Sequence, residues 1–145
     1  MRHIEYYNLD SYEDSVNKIK EYVDKYYKDL SLYNSMTFGE FYTFVCNIPY
    51  FEDQEIELIK RPQYIIKDNL ADCKKKSLLV ASWCRLIGLN CRLVVCSHSP
   101  NKVPHHIYTE VEERLGKEWI SCDATYKHNK LGYVNKETFR KVFEI

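Results

Sequence analysis

The chain of 145 residues has no excess charge of either sign, with 21 basic and 21 acidic side chains. No net field therefore draws it to nucleic acid or to an anionic membrane, and neither is expected as a partner. It has no apolar run long enough to cross a bilayer. Met1 to Asp10 is polar and lacks the apolar h-region of a secretory leader. No Cys-x-x-Cys or His-x-x-x-His pair is present, which argues against a zinc site. Repeats, low-complexity tracts and linkers are missing too, so one domain over 1–145 is expected.

What is there suits a soluble globular protein: 45% hydrophobic and 29% charged residues, and enough length for one core. Six cysteines without a leader are expected to be unpaired, metal-free thiols serving mostly as small core hydrophobes. No cofactor is expected. A pI near 6.9 predicts limited solubility near neutral pH outside an assembly.

The pattern divides into an N-terminal helical part (1–60), a core (61–134) and a C-terminal helix (135–145). Ser11-x-x-Asp14 resembles a capping box ahead of an amphipathic helix of about five turns, with Tyr12, Val16, Ile19, Val23, Tyr26 and Leu30 on one stripe. Thr37-x-x-Glu40 starts a second helix from Phe38 to about Asn47, before Pro49. Asp53 is expected to cap a third short helix through Leu58 and Ile59, ending at Arg61-Pro62, with 63–69 extended or irregular. The central helix runs from Cys73 to Ile87 and stops at Gly88, suited to a left-handed cap. Arg92 to Cys96 reads as a buried strand, 97–104 as a loop, and 106–113 and 117–123 as strands joined by a tight turn at Leu115-Gly116. A two-residue turn makes paired positions sum to 231, which places Asp123 diagonal to His106 on the same sheet face. Asn135 is expected to cap the last helix, through Phe139, Val142 and Phe143.

Three residues carry chemistry in this frame. Cys73 opens the central helix, where the helix N-terminus and a neighbouring imidazolium both stabilise a thiolate. Asp72 supplies the N-cap. Lys74, Lys75 and Lys76 add positive charge to the same turn, although three lysines could equally be a solvated face. His106 begins a strand and can act as base and then acid. Asp123 can orient its imidazole. His105 precedes the strand and would point to its opposite face; His98 reads as a loop residue, and His3 and His128 lack context. Trp119 reads as core or site wall. Gln54, Gln63 and Asn69 precede Cys73, but none has the spacing of a side-chain oxyanion donor.

The block Asp68-Asn-Leu-Ala-Asp-Cys73 with its apolar helix to Gly88-Leu89 resembles the cysteine-helix block of the transglutaminase-like superfamily. His106-Ile-Tyr-Thr-Glu-Val111 is similar to that family's histidine strand, and Trp119-Ile-Ser-Cys-Asp-Ala-Thr125 to its aspartate strand. The resemblance covers residues 59–126. It implies an α+β, papain-like core in which N-terminal helices and the cysteine helix pack on a small antiparallel sheet. It also implies a Cys73–His106–Asp123 triad. Ala71 and Ala124 stand where the family usually has Gly and Pro, and Lys74 to Lys76 where an acidic pair often follows the cysteine.

Two functions fit. One is a cysteine protease or amidase acting on a protein or peptide through a thioacyl intermediate, with hydrolysis favoured over cross-linking. The other is a non-catalytic assembly component on the same fold, since small members of this type resemble phage-encoded proteins whose partners are phage structural proteins. The expected location is the cytoplasm, or the host cytoplasm or virion for a phage protein.

Overall fold

A computed structural model describes residues 5–7, 12–52, 57–112 and 118–145. Among the described residues, an α+β domain encloses one helix from both sides. That helix is α4, Cys73–Ile87, and every residue from Cys73 to Cys84 is buried. The sheet covers one side of it; α1 (Tyr12–Tyr26), a 3-10 helix (Tyr27–Tyr33) and α2 (Phe38–Cys46) cover the other.

The sheet is antiparallel, in the order β5 (Trp119–Cys122), β4 (His106–Glu112), β3 (Cys91–Ser97), β6 (Phe139–Glu144). Thr109 pairs with Cys122 and Glu110 with Ser121, the register expected for the β4–β5 pair. The turn at Leu115-Gly116 lies outside the described residues, as do the Ser11 cap and Asp53.

Local signals explain the helix ends. Thr37 and Glu40 form a reciprocal capping box at α2. Asp72 accepts from the Lys75 amide at 2.9 Å, and α4 stops at Gly88, which has φ 91°. Aromatic packing joins the helical layer: Trp83 stacks on Phe41 at 5.0 Å and donates to the Tyr33 carbonyl at 2.9 Å.

Several expectations fail for identifiable reasons. No helix spans 53–59 within the described residues; Glu57–Ile59 is β2, paired with β1 (Glu5–Tyr7). Residues 63–69 are not irregular. Pro62 begins α3 (Pro62–Asp68) as its first residue, where its missing N–H costs nothing, and Asn69 ends it in the left-handed conformation. The expected C-terminal helix over 135–145 is β6. The open edge of β3 needs a partner, and Phe139–Glu144 alternates well enough to supply one: Phe143 reaches the core while Arg140 bonds Tyr108 and Glu110 on the other face. The first helix also tightens to 3-10 geometry after Tyr26. Lys74, Lys75 and Lys76 are not a solvated face, since all three are buried.

Ser82, in the middle of α4, is fully buried, and among the described residues its hydroxyl has no hydrogen-bond partner. A buried hydroxyl without a partner destabilises the fold, and alanine is the better helix former. Ser82→Ala should raise the unfolding free energy by about 1 kcal/mol, visible as a higher urea midpoint at unchanged slope. A lower midpoint would mean that the hydroxyl is satisfied in solution.

Candidate active site

Cys73 owes its position to two constraints. The Asp72 cap fixes where α4 begins, and Ser77 fastens the first turn to the sheet: its hydroxyl lies 2.7 Å from the Cys73 carbonyl and 3.4 Å from that of Ile107. The first residue of α4 therefore meets the first residues of β4. Cys73 is 9% exposed and lines a cleft of about 760 Å³.

His106 begins β4 beside it. Its Nε2 lies 2.6 Å from Asp123 Oδ2, a charge-assisted hydrogen bond. That leaves Nδ1 as the ring nitrogen that can face Cys73, which lines the same cleft and helps to raise the His106 pKa. The Tyr108 ring, 5.8 Å away and nearly parallel, supports the imidazole from along the strand. The three residues singled out in the sequence thus converge at one end of the sheet.

Electrostatics follow from that geometry. Burial alone would drive His106 towards the neutral form. The hydrogen bonds and charges of Asp123 and Cys73 outweigh it and push its pKa up to about 10. Burial also opposes ionisation of Asp123, but bonds from His106 and Thr125 prevail and hold the carboxyl below its usual range. An imidazolium bonded to the Asp123 carboxylate is the arrangement favoured here at neutral pH.

The support around Asp123 was not legible in the sequence beyond the Asp-Ala-Thr motif. Thr125 donates both its N–H, at 3.1 Å, and its hydroxyl to Asp123 Oδ1. Tyr42 from α2 and Asn129 donate to the Asp123 carbonyl at 2.9 and 3.1 Å. Tyr42 and Asn129 carry no local signal, because they reach Asp123 only once the chain is folded.

The cleft also contains residues that were set aside. His98 and His105 both line it; His105 accepts the His98 N–H at 2.9 Å and so belongs to a neighbouring loop contact. His128 stacks on Tyr126 at 5.8 Å, and Tyr126 meets Tyr50 at 5.3 Å, making an aromatic wall. Gln63 and Asn69 do not line the cleft; Gln54 and His3 lie outside the described residues. Trp119 does not line it either, being covered by the Arg92 guanidinium at 4.1 Å on the edge strand. Among the described residues no group of three or more His, Cys, Asp or Glu could hold a metal, and no helix is long and apolar enough to cross a membrane.

No curated protein matches the chain. A solved structure from Cytophaga hutchinsonii, described as a candidate cysteine protease, aligns over 88% of this chain at 13% identity with a TM-score of 0.47. The chain spans about half of that structure, 52%. Residues 8–124 match the family model of the transglutaminase-like superfamily. With most of its length inside that match, on an α+β fold, the chain belongs to the transglutaminase-like superfamily.

Proposed function

We propose that the chain is a cysteine-dependent acyl-transfer enzyme that hydrolyses amide bonds in a protein or peptide substrate. The observation that carries this reading is the cleft that Cys73, His106 and Asp123 line together, with His106 bonded to Asp123 at 2.6 Å and its imidazole held protonated.

The Cys73 thiolate attacks the amide carbonyl carbon, forming the S–C bond and placing charge on the carbonyl oxygen. The Cys73 amide, at the N-terminus of α4, stabilises that oxyanion. As the tetrahedral intermediate collapses, the C–N bond breaks and the amine leaves with the His106 proton. Neutral His106 then takes a proton from water, whose oxygen attacks the thioester. Release of the acid returns the thiolate and the imidazolium. An amine in place of water would give cross-linking. Hydrolysis is favoured because, among the described residues, Cys73 lines a cleft open to solvent, so water can reach the thioester.

Alkylation by iodoacetamide at pH 6, mapped by mass spectrometry, tests the first requirement. Cys73 should react much faster than a free cysteine and than the five other cysteines, and Cys73→Ala should remove that modification with little change in stability. A Cys73 no more reactive than an ordinary thiol would favour a non-catalytic interaction protein on the same fold.

A further inference from the structure

Lys76 is one helical turn beyond Cys73 on α4 and only 1% exposed. Its ammonium donates to two backbone carbonyls, Thr125 at 2.8 Å and Cys46 at 3.3 Å. Among the described residues no carboxylate lies within ion-pair distance of it. A buried ammonium bonded only to carbonyls is costly, and a hydrophobic side chain would fill the same space. Its placement therefore calls for an explanation beyond packing.

The Thr125 carbonyl provides one. Thr125 holds Asp123 Oδ1 with its amide and hydroxyl, and Tyr42 and Asn129 hold the Asp123 carbonyl. Lys76 grips the far end of the same turn. It is the one charged donor among these groups, and it stands on the helix that carries Cys73. It thus joins the segment bearing the carboxylate to the helix bearing the thiol, and its second bond ties both to the C-terminal end of α2.

We propose that Lys76 is a positioning residue that locks the 123–125 turn to α4 and so holds the Asp123 carboxylate against His106. Its consequence for reactivity rests on Cys73 being the nucleophile. Thr125 transmits the effect by geometry, and the positive charge of Lys76 also favours ionised Asp123. Burial lowers the proton affinity of Lys76 to about 8, against the opposing pull of Cys46 and Asp123. The strut is therefore held near the limit at which it keeps its charge.

Lys76→Met, close in volume but without a donor, and Lys76→Gln, neutral but able to donate, test this in the full chain. The first readout is the far-downfield proton NMR signal of the His106–Asp123 hydrogen bond; the second is iodoacetamide alkylation of Cys73. In Lys76→Met the downfield signal should be lost or move upfield, and Cys73 alkylation should slow roughly ten- to a hundredfold, as small misplacements do. Lys76→Gln should keep part of both. A merely structural lysine would change the urea midpoint and leave both readouts as in the wild type, which would overturn the proposal. Should neither variant fold, the wild-type titration decides. The groups whose charge acts on Lys76 are Cys46 on α2 and Asp123 on the turn, and its deprotonation should move the downfield signal near pH 8, below the step of His106 itself. No change of the signal across the pH range in which Lys76 itself titrates, followed by NMR of its ammonium, would refute the strut. If Cys73 in the wild type proves unreactive while the downfield signal still responds to Lys76, the strut stands and the nucleophile assignment fails.

Discussion

Asp123→Asn should lower the rate of substrate cleavage on the order of 10⁴-fold while leaving the fold intact, the scale seen when a triad carboxylate becomes an amide. The orientation of the new amide is not free. Thr125 offers two donors, N–H and hydroxyl, to the oxygen now called Asp123 Oδ1. The asparagine carbonyl must stay there to accept them, so its NH₂ replaces Oδ2 and points at His106 Nε2. A donor at that position requires Nε2 to be an acceptor, which puts the ring proton of the neutral imidazole on Nδ1. That is the nitrogen facing Cys73, so His106 can no longer take the thiol proton there. The imidazolium is lost as well, because its main stabilising partner is gone. Wild-type rates in the asparagine variant would show that Asp123 only shapes the turn and does not act with His106 in catalysis.

How much of this was legible depended on the range of the signal. The limits of α4 were readable from Asp72 and Gly88, because caps act within one turn. The β4–β5 register was readable because a two-residue turn fixes which positions pair, and side-chain alternation then puts His106 and Asp123 on one face. Strand pairing from afar was not readable. Phe139–Glu144 has apolar residues at 139, 142 and 143, a spacing equally compatible with one helical face, and only the open edge of β3 makes it a strand. Pro62 was misread as a terminator because proline at the end of one element and at the start of the next looks the same in sequence.

The site divides along the same line. Cys73, His106 and Asp123 stand in motifs with local structure, and all three meet. The residues that hold them come from elsewhere in the chain: Tyr42 lies 81 positions before Asp123 and Lys76 bonds Thr125 across 49. The three lysines after Cys73 show the same problem in reverse. Three consecutive charges suggest solvent, yet Lys74 covers the Tyr12 ring at 5.0 Å and Lys76 is enclosed. Burial of a lysine depends on carbonyls and rings that other segments bring, and no local pattern announces them.

The pH dependence of His106 should separate its two partners. Its folded pKa, raised from 6.5 to about 10, means that the pairing stabilises the fold fully below about 6.5 and that this stabilisation is lost as pH rises through about 10. Asp123, held below its ordinary 3.8, gives the acid edge of the same pairing: its contribution is present above 3.8 and lost as pH falls through the depressed value. The two describe one interaction and do not add. NMR titration of the His106 ring should therefore give a midpoint near 10 in the wild type. Asp123→Asn should bring it down furthest, towards or below 6.5, since the bond and charge that oppose burial are removed together. Cys73→Ala should lower it less, because Cys73 is the weaker of the two partners. The final alkaline limb of the cleavage rate should follow the wild-type midpoint, with activity falling about tenfold per unit above 10 as the imidazolium deprotonates. A wild-type midpoint near 6.5, or a larger drop in Cys73→Ala than in Asp123→Asn, would contradict the ordering that places Asp123 as the principal partner of His106.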